Sequence, residues 1–150
     1  MKIIVCVDNQ NGMMFNHRRQ SQDRALRKRI LELTGGKKLW MNAYSQKQFL
    51  QVNGNMPKEQ EQSGQLGQSG QIQADEAFLE KAGPGEPCFV EDRSVAPFAG
   101  RVERVVLYRW DRAYPADLYW DLSLEGWTLA RREEFPGSSH EIITKEVYIP

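Results

Sequence analysis

The stretch RVERVVLYRWDRAYPADLYWDLSLEGWTLARREEFPGSSHEIITKEVYIP, residues 101–150, decides the fold. It reads as three strands on one side of a sheet. An apolar strand from Val105 to Tyr108 leads into a Pro-Ala-Asp loop, and an aromatic-acidic segment from Leu118 to Leu122 follows. Gly126-Trp127 opens a second strand, Trp127 to Ala130. The Gly-Ser-Ser-His loop at 137–140 then precedes a long final strand from Glu141 to Ile149. This order of parts points to a fold and not to a reaction.

Upstream, Met1 to Val7 is a continuous apolar run of the kind covered on both faces of a sheet. Asp8-Asn9-Gln10-Asn11-Gly12 ends it with strong turn chemistry. The loop after it carries Met13, Met14 and Phe15, which must pack on something: the edge of the core, or a pocket beneath a flap. Ser21 can cap the next helix, with Asp23 in its first turn. Leu26, Ile30 and Leu33 give that helix an apolar face, and Arg24, Arg27, Lys28 and Arg29 fill the rest. Thr34-Gly35-Gly36 stops it. Lys38 to Met41 reads as a second buried strand, so strand, helix and strand form a βαβ unit with parallel pairing. A further helix over Asn42–Leu50 takes Ser45 as its cap.

Residues 51–73 are rich in Gln, Gly and Ser, with too few apolar groups to offset the entropy of ordering. They read as a flexible loop within one domain spanning 1–150, the alternative being an interaction segment. A short helix over Asp75–Ala82 and a buried strand at Cys88–Val90 follow.

The chain has 150 residues, with 20 basic and 20 acidic side chains. That balance gives no global bias toward nucleic acid or membranes. The N-terminal apolar run is too short for a signal peptide and nothing approaches a membrane span, so a cytoplasmic location is expected. Cys6 and Cys88 lack paired metal-ligand spacing and read as small buried hydrophobes. The absence of an H-x-H-x-D-H run excludes a metallo-β-lactamase-type ribonuclease, and no metal is expected.

With these landmarks in order, the chain resembles dihydrofolate reductase over residues 1–44 and 87–149. VCVDNQNGMMFN is similar to that family's first strand and mobile loop, KLWMNAYS follows at the family's spacing, and LYRWDRAYPADLYWD resembles its later strand and loop. Trp127 stands where the family has tryptophan. The resemblance implies an α/β fold: a mixed sheet of about six strands, parallel in its N-terminal part, with two or three helices and an antiparallel C-terminal hairpin. It also implies where the site would lie, and there this chain departs from the pattern. Met14 replaces the second loop glycine, and the carboxylate that supports pterin protonation falls on Leu26, with Asp23 about one turn earlier. The phosphate-holding Gly-Arg-x-Thr appears as Asn42-Ala43-Tyr44-Ser45. Ser45 keeps a hydroxyl at a helix start. Glu91-Asp92 replace a Gly-Gly pair and would repel a pyrophosphate. Tyr108 stands at the threonine that links to the acid. Residues 51–73 fall where the family builds much of its adenosine-binding part.

The resemblance therefore implies a kept scaffold with a dismantled reductase site, a pseudoenzyme that binds a small molecule or a protein partner. No cofactor is expected. An NADPH- or flavin-dependent reductase of a pterin-like heterocycle, using Asp23, Ser45 and Arg19, is the enzymatic alternative. A phosphate or RNA binder using the basic segment 17–29 is the third, weakened because aromatics do not interleave with its bases. His17 and His140, the only histidines, are catalytic candidates with Asp23, either as an acid-base pair or as independent surface residues. Cys6, Met14, Arg19, Leu26, Ser45 and Tyr108 are the ligand-binding candidates. Asp117 is expected to tether the mobile loop, as the resemblance implies, and Trp120 and Trp127 to join the core.

Overall fold

The computed structural model describes residues 1–50 and 71–150. In chain order the strands are β1 (Lys2–Val7), β2 (Gly12–Phe15), β3 (Arg18–Arg19), β4 (Leu39–Met41), β5 (Ile72–Ala74), β6 (Pro87–Val90), β7 (Arg104–Arg109), β8 (Leu118–Tyr119), β9 (Thr128–Phe135) and β10 (Ile143–Ile149). The helices are α1 (Arg24–Leu33), α2 (Ala43–Leu50) and α3 (Phe78–Lys81), with a 3-10 helix over Ala96–Arg101. The main sheet runs β5-β4-β6-β1-β7-β10-β9, and a small sheet runs β3-β2-β8.

The central strands are buried on both faces, which is why their sequences are continuous apolar runs. Successive β1 side chains enter opposite cores, because strand side chains alternate. Ile3, Val5 and Val7 join one cluster with Val105, Leu107, Cys88 and Val90. Ile4 joins the other with Val106, Tyr108 and Phe89. The first face is covered by Phe78 and Leu79 of α3 and by Met13 and Met14. The second is covered by Leu26, Ile30 and Leu31 of α1 and Phe49 of α2.

The sheet is parallel from β5 to β7 and antiparallel at β10 and β9, as the sequence implies. It has one more strand than expected. Ile72 and Gln73, assigned to the loop, pair with Leu39 and Trp40 as β5. Ile72 supplies the one large apolar side chain that a short edge strand needs. Residues 51–70 lie outside the described residues, and with them most of the expected loop.

Other expectations change in detail. β1 and β4 do not pair: β6 lies between them, parallel to both. Leu31, not Leu33, completes the inner face of α1, and Leu33 is 47% exposed. Arg27 is buried, so the basic residues do not form one solvated face. The segment after the first turn is a hairpin, β2 to β3, closed by Asn16 and His17, both at positive φ (52° and 61°). That is the type I′ geometry a two-residue hairpin prefers. Its methionines pack on the core while Phe15 stays exposed. Trp120 and Trp127 are half-buried and pack against the first core.

Candidate functional site

Two polar clusters lie where α1 and α2 meet the ends of the central strands. The first is built around Glu91, just after β6. Its carboxylate accepts from Arg19 Nε at 2.9 Å and Arg19 Nη2 at 3.1 Å. Ser45 Oγ donates to it at 2.7 Å and Gln48 Nε2 at 3.2 Å. Burial of a charge is tolerable only with such pairing. The Arg19 guanidinium lies 4.3 Å over the Tyr44 ring, and Arg19 N–H donates to the Tyr44 hydroxyl. The attraction of Glu91 outweighs burial and raises the Arg19 pKa.

Ser45 is therefore not the cap of α2. Asn42 is: its Oδ1 accepts from Ser45 N–H at 2.8 Å, while its Nδ2 donates to Asp92 at 2.8 Å. Arg93 Nε also donates to Asp92, at 2.9 Å. The Glu91-Asp92 pair is thus hydrogen-bonded on both acids. Each acid is met by donors whose placement the sequence does not reveal.

Beside this cluster opens a cleft of about 540 Å³, lined by Met14, His17, Tyr44, Asp92, Asp117 and Leu118. Asp117 accepts from Asn16 N–H at 3.1 Å and so ties the hairpin tip down, in the role the resemblance implies for it. Its neighbours are structural too. Asp111 accepts from the Thr144 hydroxyl at 2.6 Å, and Asp121 accepts from the N–H groups of Val95 and Ala96 at the start of the 3-10 helix. Asp8 gathers Gln10 and Gly12 N–H on one oxygen, and Tyr114 N–H and Gln20 on the other. Gly12 is required at that turn, because a Cβ there would sit 2.6 Å from Ala116 Cβ.

The second cluster is built around Asp23, which is the N-cap of α1 in place of Ser21 and accepts from Leu26 N–H at 3.1 Å. The loop before β10 closes on the same carboxylate. Ser138 N–H reaches Oδ1 at 3.0 Å and Ser139 N–H reaches Oδ2 at 2.8 Å. Both serine hydroxyls and His140 Nδ1 complete the shell. Burial pushes the Asp23 carboxyl up, but these donors outweigh it and hold it well below the usual carboxylate range. Gly137 permits the approach, since a Cβ there would meet Asp23 Oδ2 at 2.5 Å. His140 is buried, stacked on Trp110 at 4.7 Å, and is not a surface residue. His17 lies on the exposed hairpin turn and lines the cleft, so the two histidines belong to different places.

No family model matches the chain, and no curated protein matches it in sequence. A solved dihydrofolate reductase from Enterococcus faecalis, complexed with NADP(H) and RAB-propyl, matches in structure with a TM-score of 0.60. The match covers 99% of this chain and 94% of that one at 10% identity. The chain has the dihydrofolate reductase fold.

On that fold, the predicted ligand residues separate into two groups. Met14 lines the cleft, and Arg19 and Ser45 stand beside it in the Glu91 cluster. Leu26 and Tyr108 are core residues, 1% exposed each. Tyr108 packs edge-on to Phe135 at 6.1 Å, and burial pushes its phenol well up. Cys6 keeps a little exposed surface, but burial and the nearby Glu91 push its thiol well above the ordinary range. Burial also pushes the Cys88 thiol up, to about 12. Glu91, Tyr44 and Gln48 were not singled out as binding residues from the sequence. The signal available for Glu91 was an acidic pair directly after a buried strand.

Proposed function

We propose that this chain is a dihydrofolate reductase-fold module that does not reduce folate and that binds a small ligand in the cleft between the β2–β3 hairpin and α2. The observation that carries the reading is the Glu91 cluster. Where the resemblance puts a glycine pair and a phosphate-holding hydroxyl, Glu91 and Ser45 are bonded to each other at 2.7 Å. Arg19 is bound to the same carboxylate. A pyrophosphate arriving there would meet a carboxylate and would have to compete with it for its donors.

The proton supply is removed as well. Leu26 is apolar, and Asp23 accepts from both sides and stays ionised, so neither protonates a pterin. The cleft itself offers carboxylates and one aromatic wall, which suits a ligand rich in hydrogen-bond donors, such as an amine-bearing heterocycle.

A spectrophotometric assay with dihydrofolate and NADPH tests the first half of this reading. The expected result is no oxidation of NADPH above the protein-free rate, and turnover abolished by Asp23→Asn would overturn it. A thermal-shift panel of amino-substituted heterocycles tests the second half, because a ligand of the native state raises the melting temperature by mass action. The expected result is a saturable shift weakened by Asp117→Asn. No shift across the panel, or a shift indifferent to that substitution, would remove the cleft from the reading.

A further inference from the structure

Ser21, His140 and Asp23 form a constellation that the cleft leaves unused. His140 Nδ1 lies 3.1 Å from Asp23 Oδ2, and Ser21 Oγ lies 2.9 Å from His140 Nε2. An ionised carboxylate only accepts, so Nδ1 carries a proton, and in the neutral imidazole Nε2 presents a lone pair. Ser21 therefore donates its hydroxyl hydrogen to Nε2, which is how a base holds a serine before attack. Trp110 stacks on the imidazole with 25° between the planes and fixes the ring. His140 and Asp23 are buried while Ser21 is half-exposed, so Ser21 is the member of the three that keeps exposed surface.

We propose that Ser21 is a nucleophile that accepts acyl groups from small esters, with His140 as its general base and Asp23 as the positioning residue for the imidazole. Ser21 Oγ bonds to the ester carbonyl carbon while its proton passes to Nε2. The bond from that carbon to the leaving alkoxide breaks, and the alkoxide takes the proton from Nε2. Acyl-serine and free alcohol result. Water then gives a proton to Nε2 and attacks the acyl carbon. Ser21 Oγ leaves with the proton returned to it, releasing the carboxylic acid.

The contacts needed for architecture do not account for this arrangement. Asp23 caps α1 without help from an imidazole, and Ser138 Oγ already accepts from the N–H groups of Arg24 and Ala25. Tyr114 Oη, 3.3 Å from Nε2, suffices to satisfy that nitrogen. The serine contact is additional to both. The same caps occupy the first N–H groups of α1, which therefore do not stabilise an oxyanion. Lacking such a donor costs about 10²–10³-fold in rate, so slow turnover is expected and covalent labelling is the appropriate readout.

The full chain is treated with a fluorophosphonate probe, and the adduct is located by peptide mass spectrometry. One adduct on Ser21 is expected, absent in Ser21→Ala, whose half-exposed side chain is not needed for folding. His140→Asn, compared only if its near-ultraviolet circular dichroism matches the wild type, labels about 100-fold more slowly or less, as for loss of a general base. Asp23→Asn, under the same condition, is also slower, because an amide does not enforce the productive tautomer. No adduct on Ser21 in the wild-type protein overturns the proposal. So does an adduct whose rate a folded His140→Asn leaves unchanged.

Discussion

Glu91 and Asp23 are two buried carboxylates on one fold, and they are satisfied in opposite ways. Asp23 is held by three backbone N–H groups, from α1 and from the loop before β10, and by three side chains of that loop. Among the described residues Glu91 is held by side chains alone: Arg19, Ser45 and Gln48. Backbone donors stay in place whatever the side chains do, so Asp23 is part of the architecture. Side-chain donors can be exchanged as a set, so the Glu91 cluster is a replaceable polar filling beside the cleft.

The largest expected effect comes from Asp23→Ala. It strands N–H groups of Leu26, Ser138 and Ser139 and is expected to cost about 3–5 kcal/mol in urea denaturation. The pH dependence follows the same residue. Its native pKa lies below its unfolded value of about 4, so its contribution is fully present above that pH and is lost as pH falls through the native value. Asp23→Asn is therefore expected to flatten the acid limb of stability against pH. An unchanged limb would place the acid sensitivity on Asp8 and the other carboxylates.

Glu91→Ala comes next, at about 2–3 kcal/mol, because Arg19 keeps some solvent when its partner goes. Here the contrast sharpens. The double change Arg19→Met with Glu91→Met should recover most of that loss, since an apolar pair can replace a buried ion pair. No side-chain change should rescue Asp23→Ala. A double variant no better than Glu91→Ala would break the distinction. Gly12→Ala tests a third acid, Asp8, which is also held in part by backbone. The added Cβ would lie 2.6 Å from Ala116 Cβ and from Gln20 Nε2 and 3.0 Å from Asp8 Oδ2, and about 1–2 kcal/mol of overpacking is expected in the same denaturation series. The smallest effect belongs to the edge strand β9. Leu129 is 46% exposed there, and Leu129→Thr should stay within about 0.5 kcal/mol.

The fold was legible because its signals are local. Continuous apolar runs at residues 1–7, 38–41 and 88–90 announce strands buried on both faces, and the C-terminal strands and loops follow in recognisable order. β5 was hidden because Ile72 is one apolar residue at the end of a Gln-rich segment. The hairpin turn was hidden because a histidine at positive φ carries no turn signal. The site was less legible for a different reason. Arg19 and Glu91 are 72 residues apart and Ser21 and His140 are 119 apart, so nothing local joins them. Helical periodicity put Leu26 on the apolar face of α1, and it is a core residue rather than the ligand contact the resemblance suggested. Sequence spacing read Ser21 and Ser45 as helix caps, because a serine before or inside an apolar-periodic segment has that default meaning. Asp23 and Asn42 take those roles and release both hydroxyls for contacts with His140 and Glu91.

The most direct test of the central claim is calorimetric titration of NADPH into the wild-type protein. The account predicts no saturable heat of binding, because the resemblance gives the phosphates the place that the Glu91 carboxylate and its donors occupy. A saturable isotherm, weakened by Ser45→Ala or Arg19→Met, would contradict it and return the chain to the reductases.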